Sequence, residues 1–399
     1  MRTADAQAKG NYMNASRTPF GLIALMLLAG MGAAAQFAKV SVIFPMLATV
    51  YPQAGTSLGF LVSVISLTGV VTGLVAGMLV ARIGFRRVVI WGLALGAAMS
   101  ALQALFPPFT VMLITRAVEG ISHIALVVAL PTLIARLTAD RHRPYVMTLW
   151  GSYFGVTFAL VAWLGVPLAN TFGPAILFLI HAGLMLAMAV ALAAALPRDL
   201  IPKTDTALPS LRQILANHPV IYASPRIAAP ALGWLFYTLT FVALLTVLPP
   251  YLPDATRTTL AFWMPIAGII VSLTLGAQLL RILPAVTIIL IGLALSILAT
   301  LAMWTIPGAF LPPILLFGSL GLVQGASFTA IPQLNPDPTD QALANGALAQ
   351  MGNLGNLLGT PILLTMTAPM GYNGAILFAL LAYMGCAAVH LHAAARRKR

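Results

Sequence analysis

"GMLVARIGFRR", from Gly77 to Arg87, sets three arginines between two long apolar runs. One run reaches back to about residue 58 and the other forward to about residue 106. A spanning helix needs about 20 mostly apolar residues. Charge confined to so short a gap therefore reads as a tight turn between two membrane helices. The composition agrees. Of 399 residues, 60% are hydrophobic and only 7% charged, and the mean hydropathy is +0.97. That is too little polar surface for a water-soluble domain of this length, so the chain reads as an integral membrane protein. A net charge of +13 would suggest a nucleic-acid partner in a soluble protein. Here the placement of the charges is more informative than their sum, and no nucleic-acid partner is expected. The single cysteine, Cys386, excludes a disulfide framework or a cysteine metal site within the chain and reads as a small apolar filler.

Working outward from the turn, the chain divides into twelve apolar segments punctuated by Pro, Gly and charge. They are 20–48, 58–81, 87–106, 109–137, 144–170, 174–196, 228–252, 259–281, 284–306, 309–334, 341–367 and 374–394. The first could begin as a signal peptide, with "AAAQ" (Ala33 to Gln36) resembling a cleavage site. Its apolar run continues to about Val50, too long for that, so it is taken as a span. Most basic residues then fall on one side. Arg2, Lys9 and Arg17 precede the first span, and Arg82, Arg86 and Arg87 follow the second. Arg136, Arg141 and Arg143 follow the fourth, and Arg198, Lys203, Arg212 and Arg226 follow the sixth. Arg281 follows the eighth, and Arg396, Arg397, Lys398 and Arg399 end the chain. Arg257 alone lies on the other side. The bias of Lys and Arg toward cytoplasmic loops puts both termini in the cytoplasm. The location expected is a bacterial inner (plasma) membrane, spanned many times by a chain acting as a monomer in the lipid bilayer.

The longest polar segment joins the sixth and seventh spans at the chain midpoint, and its "LPSLRQILANHPVI" reads as a short helix on the membrane surface. The expected organisation is a cytoplasmic tail (1–19), a six-helix bundle (20–196), a central cytoplasmic loop (197–227), a second six-helix bundle (228–394) and a basic tail (395–399). Two internal echoes support a duplication. "GMLVARIG" after span two is matched by "GAQLLRIL" (Gly276 to Leu283) after span eight. "VEGIS" (Val118 to Ser122) in span four is matched by "VQGAS" (Val323 to Ser327) in span ten.

This arrangement resembles the major facilitator superfamily. The superfamily's cytoplasmic signature after its second helix is matched at Gly77, Arg82, Gly84, Arg86 and Arg87, with Ala81 where the signature has an acid. "RAVEG" (Arg116 to Gly120) is similar to its fourth-helix motif. The resemblance implies an all-α membrane protein of twelve transmembrane helices in two pseudo-symmetric bundles. It also implies that the first, fourth, seventh and tenth helices line a central cavity. The signature residues, with Asn353 and Asn356, become candidates for conformational gating. The glycine-proline motif of the family's drug/proton antiporters is absent from "LWGSYFGVTFALVAWLGVPLA" in span five, which lowers the weight of drug efflux.

Three charges lie inside spans, Lys39, Arg116 and Glu119. Ionisable groups in a bilayer are costly and are functional candidates by default. Arg116, Glu119 and His123 share one helical face. Arg116 and Glu119, three residues apart, could neutralise each other as a structural pair, which would leave Lys39 an unbalanced cation; snorkelling to the surface is the plainer reading of Lys39. The expectation is that Lys39 and Arg116, with Gln36, bind the negative group of a substrate, and that Glu119 and His123 carry a coupled proton. His181 is a lesser candidate. Tyr237, Thr240 and Gln324 complete the expected substrate contacts, with Trp234 and Trp263 as interface anchors. Asn345, Asn353, Asn356 and Thr360 form a polar stripe among Gly346, Gly352, Gly355 and Gly359, suited to close helix packing with amides bonding between helices. There is no phosphate-binding loop for ATP, no metal or cofactor site, and no nucleophile–base pair for catalysis. The chain therefore reads as a secondary transporter, not an enzyme. It would move a small anionic, organic-acid-like metabolite by alternating access, as a symporter if proton-coupled. The rivals are an exporter of drugs or other amphipathic compounds and a transport-fold sensor without flux.

Overall fold

The computed structural model describes residues 18–197 and 210–398. The expected N-terminal tail up to residue 17, residues 198–209 of the central loop and Arg399 lie outside the described residues. The long helices are α1 (Phe20–Ser41), α2 (Pro52–Thr72, continued by Ala76–Ile83), α3 (Phe85–Gln103), α4 (Phe109–Leu137), α5 (Arg143–Phe172) and α6 (Ala175–Ala195). They are followed by α7 (Ala228–Val247), α8 (Asp254–Leu279), α9 (Ala285–Thr305), α10 (Leu311–Leu334), α11 (Pro338–Met370) and α12 (Tyr372–Arg397). Eleven of these are long and apolar enough to cross a bilayer. The twelfth is α11, the longest at 33 residues, whose Asn, Gln and Gly positions dilute its apolar character.

Two expected spans are broken. The first stops at Ser41 and resumes as Phe44–Val50. Pro45, at the start of the second piece, has no N–H to continue the ladder. The second span begins earlier than expected, at Pro52, and contains 3-10 turns over Pro52–Gly59 and Val64–Ser66. The Gly77–Arg87 stretch is the end of one helix, a hinge at Gly84 with φ 103°, and the start of α3. Only glycine adopts that backbone without strain. Arg86 reaches across to α6. Its Nε and Nη2 donate to the carbonyls of Leu196 (3.0 Å) and Ala193 (2.6 Å), orphans at a helix end.

Packing follows a rule of six. Within the first bundle α1 packs on α5, α4 and α6, α2 on α4, and α3 on α4 and α6. In the second, α7 packs on α11, α10 and α12, α8 on α10, and α9 on α10 and α12. Adding six to each helix number of the first set gives the second. The echoed motifs occupy matching places. A Cβ at Gly120 of α4 would overlap the Ile65 carbonyl of α2, and one at Gly325 of α10 would press on the Ser272 hydroxyl of α8. The bundles meet through α2 against α11 and α5 against α8. Gly69 and Gly73 of α2 let Asn353 and Gln350 approach, and Gln350 Nε2 donates to the Val70 carbonyl at 3.0 Å.

The helix read from the central segment is present as Leu211–Ala223, opened by a capping box between Ser210 and Gln213. Its Tyr222 hydroxyl donates to Gln350 at 2.8 Å. Burial pushes that hydroxyl's pKa up to about 12, so it remains a donor at neutral pH.

Candidate functional site

The intramembrane charges come together inside the first bundle. Glu119 of α4 is fully buried and accepts from Lys39 of α1 through Oε1 at 2.7 Å and from Arg116 through Oε2. Gln103 of α3 donates to Oε2 at 2.9 Å. Lys39 Nζ also donates to the Ser100 hydroxyl of α3 (2.8 Å) and lies 3.2 Å from His181 Nδ1 of α6. Arg116 Nε donates to the Leu61 carbonyl of α2 at 2.7 Å. Five helices thus supply one network. In a low-dielectric bundle each member answers the desolvation cost of the others. With both bases protonated it carries two positive charges against one negative.

This geometry corrects two parts of the sequence reading. Lys39 does not snorkel, since it is only 2% exposed. Nor is it unbalanced while Arg116 takes Glu119, because the two cations share the carboxylate. His123 stands apart from Glu119 and faces α1 through the Ala33 carbonyl and Gln36 Oε1, both at 3.1 Å. Gln36 Nε2 in turn donates to the Ser122 hydroxyl at 2.8 Å. His181 belongs to the charged network directly.

In the second bundle the Tyr237 hydroxyl donates to Gln324 Oε1 at 3.2 Å. Gln324 occupies in the "VQGAS" echo the place of Glu119 in "VEGIS". Thr240 spends its hydroxyl on the Tyr237 and Phe236 carbonyls of its own helix. The α11 amides behave similarly. Asn345 and Asn353 donate to the Gln341 and Ala349 carbonyls one turn back, where bonds to other helices were expected. The α11 glycines do permit close approach. A Cβ at Gly355 or Gly359 would overlap the α7 backbone at Leu235 or Leu239. Asn356 Oδ1 and Thr360 Oγ1 are buried without a partner among the described residues. Of the arginine signature, Arg82 and Arg87 are exposed, and none of the described residues crowds Gly77. Trp263 is 43% exposed, as suits an interface anchor, whereas Trp234 is stacked inward on Tyr237. Cys386 is buried, with its thiol toward the Gly233 carbonyl.

The sequence reading missed an aromatic assembly. On α5, Trp150 stacks on Tyr153 (4.5 Å between centroids), and Phe154 follows, packed on Tyr153 and Phe158. On α7, Trp234 stacks on Tyr237 (4.4 Å) and Tyr237 on Phe241 (5.5 Å). The two ladders meet across the bundle boundary at Phe154 and Phe241, 6.3 Å apart. Phe37 of α1 joins them to the polar side, 5.9 Å from Phe154 and edge-on to His123 at 5.0 Å. The only signal in sequence was ring spacing of three or four along two helices, which lipid-facing aromatics share.

Comparison with known proteins places the chain. The Major Facilitator Superfamily profile matches residues 21–360. The inner membrane transport protein YajR of Escherichia coli (strain K12) is 26% identical over 256 residues. That alignment covers 62% of this chain but only 54% of YajR, so the chain spans about half the length of that relative. Among solved structures, the fold is similar to a bacterial homologue of the human lysosomal transporter Spinster, in an inward-facing and occupied conformation. The TM-score is 0.69 at 13% identity, over 94% of this chain and 96% of the other. A profile match over most of the chain, with twelve helices in two bundles related by a shift of six, makes the protein a member of the major facilitator superfamily.

Proposed function

We propose that this superfamily transporter is a secondary carrier of a small organic anion with an apolar, ring-bearing body. One observation carries the reading: the aromatic ladders of the two bundles converge at Phe154 and Phe241, and Phe37 joins Phe154 to His123, one helical turn along α4 from Glu119. Rings of the protein would stack on the substrate body. Tyr237, Thr240, Gln324 and Gln36 supply polar contacts. The surplus positive charge around Lys39 and Arg116 attracts the anionic group, and Glu119 with His123 carries the coupled proton. The bundles 20–196 and 228–394 rock as rigid units about the α2–α11 and α5–α8 contacts. Gly77, Arg82, Gly84, Arg86, Arg87, Asn353 and Asn356 shape that movement. By the distribution of basic residues, both termini are cytoplasmic, and the Arg257 end of the molecule faces outward.

The test is flux of labelled aromatic and aliphatic monocarboxylates into proteoliposomes. Lys39→Ala and Tyr237→Ala each raise KM by about tenfold or more, the loss of a charge-assisted bond or a stacked ring. Unchanged KM in both variants would retire this site. A second reading, export of amphipathic compounds without need of charge, draws on the ladders together with the engagement of both cations by Glu119. It predicts equal flux of a neutral aromatic amide and the matching acid, and drug resistance on expression. Binding without any flux would leave the sensor reading.

A further inference from the structure

At the Arg257 end of the molecule a cavity of about 300 Å³ opens between the bundles, bounded by α1 and α5 on one side and α7 and α8 on the other. That volume is at the lower end of small-molecule sites. Its apolar wall includes Met46, Phe158, Ala162 and Leu245. Ser41 and Thr246 also line it, joined by a 2.6 Å hydrogen bond between the ends of α1 and α7. Beside the cavity, α5 carries a π-helical segment, Val161–Gly165. Such segments inside α-helices are frequent at functional sites.

Among the described residues the cavity has one charged lining residue, Arg257. Its Nε donates to the Pro249 carbonyl (2.9 Å), and Nη2 meets the Leu252 carbonyl (3.2 Å) and Asp254 (2.5 Å). These bonds fix the guanidinium plane through two of its three nitrogens. Nη1 makes no hydrogen bond among the described residues. A guanidinium held in place with one nitrogen spare can donate through it to a carboxylate oxygen.

We infer that this cavity is a second binding site, at the outer mouth of the transport path, for an amphipathic monocarboxylate. The apolar body lies among Met46, Phe158 and Leu245, and the carboxylate meets Arg257. The Ser41–Thr246 bond holds the ends of α1 and α7 together at the wall of this station and opens when the occupant passes. The inference rests on the transporter reading for its place on a path and on the proposed orientation for its outward aspect. The binding itself depends on neither.

The experiment measures Kd on purified protein in nanodiscs for 1-naphthoate, octanoate and the neutral 1-naphthamide. Octanoate stands for an acid arriving from the bilayer and naphthoate for a ring acid from water. Tighter binding of one names the source. Arg257→Gln weakens both acids about tenfold or more and leaves the amide unchanged. Ala162→Trp fills the cavity and weakens all three without touching the arginine's anchoring bonds. In a Cys386→Ser background, Thr258→Cys at the cavity wall is labelled by an impermeant maleimide more slowly when naphthoate is present. Equal acid affinities in wild type, Arg257→Gln and Ala162→Trp would overturn the site, as would an amide binding as tightly as the acid. If these shifts appear while no organic acid moves into proteoliposomes, the site stands and the transport reading falls. If flux persists with wild-type KM in both cavity variants, transport stands and the outer station falls.

Discussion

Glu119→Gln leaves Lys39 and Arg116 buried side by side with only an amide between them. Losing one partner of a buried ion pair costs about 3–5 kcal/mol. Lys39→Met is milder. It leaves Arg116 and Glu119 balanced one to one and loses the bonds to Glu119, Ser100 and His181, worth about 1–3 kcal/mol with Glu119 still paired. Thermal unfolding in detergent should therefore rank Glu119→Gln well below Lys39→Met. Equal losses would mean that the charge balance of the network does not set its stability. Proton coupling is a separate question with a separate readout. Glu119→Gln should abolish uphill accumulation and keep exchange, whereas a purely structural role removes both together. At this scale the sequence was half legible. Arg116 and Glu119 share a helix, so their pairing follows from a spacing of three. Lys39 finds Glu119 from 80 positions away, and His181 comes from a fourth helix. No local pattern carries such a contact.

Among whole elements, α11 is the informative case. Hydropathy understates it because its glycines and amides serve a helix contact and not the lipid. Gly355→Ala forces a methyl group into the Leu235 carbonyl and the Thr238 hydroxyl of α7. Overpacking of this kind costs about 1–3 kcal/mol, to be read as a lower Tm. Gly77→Ala provides the contrast. None of the described residues lies within 4 Å of the added methyl, and removing a helical glycine stabilises by up to about 1 kcal/mol. If Gly77 serves gating, Gly77→Ala slows flux while Tm stays level or rises; a fall in Tm would point to packing instead. Span positions were readable from apolar runs and charge breaks. The interruption of α1 has a local cause in Pro45, which lies inside the apolar run 20–48 and does not alter its hydropathy. The ladders on α5 and α7 left no trace in hydropathy, which does not separate a phenylalanine facing lipid from one facing the other bundle.

For the molecule as a whole, the shift-by-six symmetry is the frame on which the proposed rocking would act. The boundary contacts α2–α11 and α5–α8 exchange with each other under that shift, so the proposed rocking would preserve them while contacts at either end broke in turn. Short echoes at offsets of 199 and 205 were enough to suggest the duplication, since a repeat leaves its period in sequence even where identity is lost. Which end is closed left no such record. It depends on single contacts between bundles, such as Ser41 with Thr246 and Gln350 with the Val70 carbonyl. The first of these is open to a direct test. Ser41→Cys with Thr246→Cys, in a Cys386→Ser background, places two thiols where hydroxyls now touch. Oxidant should join them, hold that end shut and cut flux about tenfold or more, with full recovery on reduction. The single cysteine variants should be indifferent to oxidant. A cross-linked protein that transports at the wild-type rate would mean that the two ends of α1 and α7 need not part, and rocking about α2–α11 and α5–α8 would have to be abandoned as the way the substrate crosses.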